Sequence, residues 1–355
     1  ALKNINDRVS FTQLNGMTNI PRDFAKLFRK LINQKANLRC TIDRFMKEMS
    51  GVFSSNHLIE FNNELEELKF QNDAFKLQFF KNQLEGLISF EGGFPPGFLE
   101  YKVLPELLNQ YDSISKTKPT ISTTPEAHLQ RQETISLLLN YIIKFAVLLP
   151  QTQFSKLVKP VIFQAFTLQD RSIRLILLNH LSEYAKYLSD TDVQQKLFYP
   201  LLTGFQDTNF TIREVTLTSV SLVIDKISEK QINQELLKVL AKSQMDPKPS
   251  IRTNTLVLII KISSKIYALS RNNVLITALS KSLKDTFTPC KLTALTGFES
   301  LVQEFSLTEI CGKILGHLAV SLMDPNSYKT RVQAKRVFDL YLRSVEEHAD
   351  GLPKG

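Results

Sequence analysis

The sequence predicts an all-α protein made of stacked helical hairpins, and three observations carry that expectation. An acidic corner recurs: Asp207-Thr-Asn-Phe-Thr-Ile-Arg213 returns as Asp246-Pro-Lys-Pro-Ser-Ile-Arg252, and in looser form as Asp285-Thr-Phe-Thr-Pro-Cys-Lys291 and Asp324-Pro-Asn-Ser-Tyr-Lys-Thr-Arg331. These four acids follow one another at equal steps, and a shorter version, Asp170-Arg-Ser-Ile-Arg174, lies slightly less than one step before Asp207. Apolar residues on both sides of the corner recur at helical spacing. The composition suits helices as well: of 355 residues only 12 are glycine, none is Trp, and no glycine-rich catalytic loop stands out. A fixed period of this size is the mark of a stacked repeat, and about 40 residues per unit is the HEAT and armadillo range.

Within one unit, Val193, Leu197, Leu201 and Phe205 step by four before the corner, with Phe198 and Leu202 alongside. Pro200 falls inside this stripe, where it is expected to bend or divide the helix. After the corner, Leu217, Val220, Ile224 and Ile227 mark a second amphipathic helix, with Asp207 and Asn209 placed to shape the turn and cap it. Two helices cannot bury both stripes alone, so successive hairpins must stack. Leu256-Val-Leu-Ile-Ile-Lys-Ile262 is apolar almost all round, as an inner helix would be. The pairs Asp170/Arg174, Asp207/Arg213, Asp246/Arg252, Asp285/Lys291 and Asp324/Arg331 are expected to join neighbouring units and set their register.

Taken in order, residues 1–20 are polar and weakly periodic, and a helix is expected from Pro21 with Asn19 as a cap. Its apolar face is Phe24, Leu27, Phe28, Leu31 and Ile32; a loop follows to Arg39, and Thr41 heads a helix carrying Ile42, Phe45 and Met46. Leu58, Phe61, Leu65 and Leu68, then Phe75, Phe79, Leu84 and Leu87, give two more stripes. Gly92-Gly-Phe-Pro-Pro-Gly97 is a break. The reading is residues 1–54, a helical fragment; 55–91, a helical linker; 98–346, an array of about six units; and 347–355, a tail. The Ser-, Thr- and Pro-rich residues 113–126 are expected to be an inserted loop, between helices at 98–111 and 130–149.

The formal net charge is +9, and it is uneven. Residues 1–95 carry a net +2, 96–228 a net +1 and 229–355 a net +6. The last third therefore favours an anionic partner: RNA, an acidic protein or a lipid headgroup. Lys329, Arg336 and Arg343 are seven apart and would line one side of a helix, with Lys335 beside them; Lys281 and Lys284 sit near the preceding corner. Neighbouring repeats are expected to bring these six onto one face suited to phosphates. Asp339, close to Lys335 and Arg336, can neutralise part of the row.

No catalytic, metal or cofactor site is expected. Cys40, Cys290 and Cys311 lack CxxC spacing, and His57, His128, His180, His317 and His348 are scattered, outside any HExxH or zinc pattern. His180 and His317 are expected to be structural residues within helices. No apolar run reaches membrane-spanning length. The chain begins at Ala1, so a longer parent is expected.

Two resemblances sharpen this reading. The helix, the loop with Arg39 and the Thr41-headed helix resemble the last two helices of a protein-kinase C-lobe, where an Arg at this place pairs with a Glu of the activation segment. The kinase sequences G-x-G-x-x-G, H-R-D and D-F-G are absent, so a kinase-like remnant without activity is expected. Val103-Leu-Pro-Glu-Leu-Leu108, Ile173-Arg-Leu-Ile-Leu-Leu178, Phe198-Tyr-Pro-Leu-Leu-Thr-Gly-Phe-Gln-Asp-Thr-Asn209 and Ser250-Ile-Arg-Thr-Asn254 resemble the Scyl family, pseudokinases followed by HEAT repeats. The resemblance covers roughly residues 20–345, in the order kinase tail, helical linker, glycine break and repeat array. It implies, as in the family's fungal member, a non-enzymatic cytoplasmic adaptor that also visits the nuclear pore periphery. It further implies binding to tRNA, tRNA-export receptors, a Ran-type GTPase and the translation elongation factor. The family's animal members imply the alternative, a scaffold for vesicle-coat subunits between Golgi and endoplasmic reticulum. Their dibasic coat-binding tail has no counterpart in Gly351-Leu-Pro-Lys-Gly355.

Overall fold

Why the second helix of each repeat starts where it does can be read from one side chain. The corner aspartate turns its Oδ1 back onto the chain and accepts the backbone N–H two residues on: Asp207 from Asn209 at 2.7 Å, Asp246 from Lys248 at 2.9 Å, Asp285 from Phe287 at 2.8 Å and Asp324 from Asn326 at 2.9 Å. That Asx turn fixes the corner, and a helix follows at once. The computed structural model describes residues 20–33, 35–89, 94–116 and 124–352, and all regular structure among them is helical. The expected Asn19 cap, Gly92, Gly93 and the middle of the Ser/Thr/Pro-rich stretch lie outside these residues. The chain packs as two compact bodies, Ala1–Leu137 and Leu138–Gly355.

In the first body, helix Arg22–Leu31 follows Pro21, and Thr41 caps helix Ile42–Ser54 by accepting the Arg44 N–H at 3.3 Å. Phe24 meets Phe45 edge-on at 5.8 Å. The expected face is corrected here: Phe45 and Met49 are buried, whereas Ile42 and Met46 are 72% and 51% exposed. One residue of offset is about 100° around a helix, enough to move a stripe off its packing face. Asn56 and Asn72 cap helices His57–Glu67 and Asp73–Ile88. Phe61, Leu65, Leu68, Phe79, Phe80, Leu84 and Leu87 are buried, but Phe75, in the first turn, is exposed. Gly97 has φ +77°, and a Cβ there would lie 2.8 Å from the Tyr101 ring, so this turn requires glycine. Helix Leu104–Lys116 runs past the loop start expected at 113, and Pro125–Ala146 begins before the expected 130, with Pro in its first turn. The Arg131 guanidinium ties the two, donating to the Ile114 carbonyl at 2.7 Å.

The second body holds five hairpins whose first helices begin after Pro150, Ser189, Ser228, Tyr267 and Ser306, at equal steps along the chain. Their second helices, Arg171–Asn179, Phe210–Val223, Pro249–Lys261, Thr288–Ser300 and Tyr328–Asp350, each pack on the next. The last one passes the expected end of the array at 346. Pro200 is not what shapes its helix. A wide π-helical turn, Val193–Leu197, precedes it, and the same turn recurs without proline at Ile232–Leu236 and Ile310–Ile314. The three share a spacing. Buried residues four apart, such as Ile232, Leu236 and Leu240, drift by about 40° per step around a regular helix, and a wider turn absorbs the drift.

The first and fourth repeats lack this turn, and the fourth differs at its start. Its first helix, Ala268–Leu283, is α-helical throughout. Arg271 stands where Val193, Ile232 and Ile310 are buried, and turns its guanidinium to the Ile266 carbonyl at 3.2 Å. Tyr267 likewise replaces the serine that forms a reciprocal capping box with Asp192, Gln231 or Glu309 in the second, third and fifth repeats. The third repeat compensates, since the Tyr267 N–H donates to Asn233 Oδ1 at 2.9 Å.

Each repeat grips the next at the corner. Arg213 pairs with Asp246 at 2.7 Å, Arg252 with Asp285 at 2.7 Å and Lys291 with Asp324 at 2.5 Å, all with side chains at most 15% exposed. Arg213 and Arg252 also donate Nη1 to their own corner's carbonyl, Asp207 at 2.9 Å and Asp246 at 2.8 Å, so one guanidinium spans two repeats. Arg331 donates to its own corner carbonyl, Asp324, at 2.8 Å. Asp285 is held below the usual carboxylate range by its bond from Arg252. Burial pushes Asp246 and Asp324 up, but bonds from Arg213 and Lys291 and from the turn N–H groups bring both below it. The first rung departs from the expected pairing. Asp170 is a helix cap, accepting the Ile173 N–H, and is the counterpart of Asn209 in the next repeat rather than of the corner acid. Arg171 pairs with Asp207 at 3.0 Å, while Arg174 donates to the Pro200 carbonyl and Thr203 hydroxyl.

Candidate nucleic-acid interface

The basic residues that the sequence singles out as phosphate contacts fall into two groups, on different helices. The first is on helix Tyr328–Asp350, where Lys329, Lys335, Arg336 and Arg343 are all exposed or half-exposed. Ser327 starts this helix, its hydroxyl accepting the Thr330 N–H at 3.1 Å. Buried Thr330, Ala334, Val337 and Tyr341 anchor its inner face, and Tyr341 donates to the Phe298 carbonyl at 2.7 Å. That anchoring turns the basic residues outward. Lys335 is ion-paired with Asp339 and Arg336 with Glu299 of the preceding repeat, whereas Lys329 and Arg343 have no carboxylate within ion-pair distance among the described residues.

The second group is in a cleft of about 780 Å³ between the first helices of the fourth and fifth repeats. Lys281 and Lys284 stand on one wall, Lys313 and His317 on the other, and the lining contains no carboxylate. Burial, then the nearby Lys284, pushes the His317 imidazole below its ordinary value and favours its neutral form at pH 7. Gly312 and Gly316 leave the fifth repeat's wall bare; a Cβ at either would meet nothing within 4 Å. Ser280 also lines the cleft, 7% exposed, and its hydroxyl has no hydrogen-bond partner.

The six basic residues singled out in the sequence are thus divided. Lys281 and Lys284 meet Lys313 and His317, and none of Lys329, Lys335, Arg336 or Arg343 lines that cleft. Lys313 is missing from the sequence reading, although Gly312-Lys-Ile-Leu-Gly316, two glycines on one helical face around a lysine, is a readable signal. Missing too is a second inter-repeat ladder with the same period as the corners. Gln194, Asn233 and Asn272 donate to the Lys226, Lys265 and Glu304 carbonyls at 3.0, 3.0 and 2.9 Å.

Chemistry-bearing residues elsewhere are held apart. His180 is bonded to Glu183 and Asn140 at a helix junction, Cys290 is buried and Cys311 exposed. Among the described residues no group of three His, Cys, Asp or Glu could hold a metal ion, and no helix is long and apolar enough to cross a membrane.

No protein-family model matches the chain. Among solved structures it is similar to the crystal structure of Cex1p, with 29% sequence identity and a TM-score of 0.75. The similarity covers 95% of this chain and 62% of that one, so the chain spans less than two thirds of Cex1p's length while matching its helical architecture over nearly all of its own.

Proposed function

We propose that the chain is a non-enzymatic adaptor that binds tRNA and factors of tRNA export and translation through the basic surface of its last repeats. The observation that carries this reading is the outward row on helix Tyr328–Asp350, held on a rigid stack. Lys329 and Arg343 lack carboxylate partners among the described residues, and Lys335 and Arg336 can exchange half-exposed ones for phosphates. A double-stranded RNA arm is recognised mainly by shape and backbone, which such a row can follow without base contacts. The Scyl resemblance and the likeness to Cex1p support the same reading.

The alternative, a scaffold for vesicle-coat subunits, draws on a different surface. An apolar groove of about 390 Å³ lies between helices Pro249–Lys261 and Thr288–Ser300, with Val257, Ile260 and Leu292 in its lining. The two readings separate in one experiment, a filter-binding titration of tRNA against the native chain and against Lys329→Glu/Lys335→Glu/Arg336→Glu/Arg343→Glu. For the adaptor, affinity is expected to fall by at least about tenfold, given that each lost charge-assisted contact is worth about 1.5–3 kcal/mol. Equal affinity removes the row. Capture of coat subunits without tRNA, lost on Val257→Asp, supports the alternative.

A further inference from the structure

We infer that the cleft between the fourth and fifth repeats is a binding site for a compact, phosphate-rich anion of the inositol-polyphosphate class, separate from the surface proposed for tRNA. The cleft and the outward row contain the same residue types in different geometries. Along helix Tyr328–Asp350 the cations follow one another on its exposed side, which suits phosphates strung along a backbone. In the cleft Lys281 and Lys284 face Lys313 across a concavity, which suits phosphates clustered on one small molecule. Its volume of about 780 Å³ is within the range of small-ligand sites, about 300–1,000 Å³.

Three further features favour an anion. No carboxylate lines the cleft, so its three ammonium groups face one another with no counter-charge between them; the nearby Glu309, which Lys313 helps to hold ionised, lies outside the lining. Gly312 and Gly316 remove side-chain bulk from the wall that bears Lys313 and His317, leaving open space between the cations. Ser280 places in the same lining a nearly buried hydroxyl with no partner, a donor ready for a phosphate oxygen after a rotamer change. A phosphate monoester brings a charge of about −1.5 to −2, so two such groups match three lysines and a histidine that gains a proton on binding.

Inositol hexakisphosphate is the probe, titrated into the full chain by calorimetry while the His317 ring resonances are followed by NMR. The native chain is expected to bind it and shift those resonances. Lys281→Glu/Lys313→Glu is expected to weaken binding by at least about tenfold, from at least one charge-assisted contact of about 1.5–3 kcal/mol. Gly316→Leu, which fills the cleft without changing charge, is expected to weaken it as well, and Lys329→Glu/Arg343→Glu is not. Phosphatidylcholine vesicles with and without phosphatidylinositol bisphosphate distinguish a lipid headgroup from a free polyphosphate as the source. Absence of hexakisphosphate binding, equal binding by the cleft variants, or loss of tRNA binding alone on cleft charge reversal overturns the proposal. Loss of binding in the Lys329/Arg343 variant with the cleft intact overturns it too. Failure of the tRNA reading, by contrast, leaves the hexakisphosphate result standing.

Discussion

The corner ladder and the cleft between the last two repeats are built from the same materials and do opposite things. At the corners the cations that set the register are partnered: Arg213 and Arg252 each hold a carboxylate and a carbonyl, and Lys291 is closed onto Asp324. In the cleft, Lys281, Lys284 and Lys313 have no carboxylate in the lining around them. The glycines divide in the same way. A Cβ on Gly204 would collide with Thr216 Oγ1, because two helices close on it, while Gly312 and Gly316 open into the cleft. Periodic charge and small residues in a sequence therefore mark two different things, and only the partner across the gap separates a device for stacking from a surface for recognition.

Acid is the broadest way to break this contrast. Asp246, Asp285 and Asp324 have folded pKa values below their ordinary ones, so their contribution is fully present above the unfolded value of about 3.9 and is lost as pH falls through the lower folded values. Urea unfolding of the chain followed by circular dichroism should show little change in midpoint between pH 7 and pH 5 from these groups, and a steep fall below about pH 4. A single rung can be cut by Asp246→Ala, which takes the ion-paired carboxylate from the largely covered Arg213, leaving it the Asp207 and Thr208 carbonyls, and removes the Asx turn. The expected loss is about 3–5 kcal/mol, read from the same urea midpoints.

Gly204→Ala is the next in size, at about 1–3 kcal/mol destabilising for overpacking against Thr216. Gly316→Ala should have the opposite sign, stabilising by about 0.5–1 kcal/mol, because it gains helix propensity with no atom in the way. If the two glycines respond alike, the distinction between closed and open faces fails. Smallest of all is Lys281→Ala, expected to move stability by no more than about 0.5 kcal/mol, as for a residue outside any stabilising network. A loss comparable to that of Asp246→Ala would show that the cleft lysines hold the fold together.

Much of the stack is legible in the sequence because its cause is periodic. Asp207, Asp246, Asp285 and Asp324 repeat since each must close the same turn and meet the same neighbour. Asp170 looks like a corner acid because a cap and a corner lie two residues apart, and only the bond to Ile173 tells them apart. Ile42, Phe45 and Met46 read as one apolar set because a short helix offers two apolar stripes, and packing on Phe24 selects the stripe of Phe45 and Met49. The π-helical turns are not legible in spacing alone: steps of four at Ile232, Leu236 and Leu240 go with a wider turn, whereas the same steps at Leu275, Leu279 and Leu283 sit in a regular α-helix. The cleft is less accessible still. Lys281 and Lys313 belong to different repeats, distant in sequence, and are brought together by the packing of the fourth repeat on the fifth. Asp339 is legible as a neutralising neighbour of the row and does pair with Lys335, but Arg336 resembles a free cation until Glu299 of the preceding repeat is placed against it.

If the basic residues outside the ladder exist to meet phosphates, the affinity of the intact chain for tRNA across a range of monovalent salt is where it must show. The expected result is a straight fall of log affinity with log salt. Its slope of several units should become shallower by about one for each phosphate-contacting cation removed from helix Tyr328–Asp350. An affinity indifferent to salt, or a slope unchanged when Lys329 and Arg343 are replaced, would contradict it.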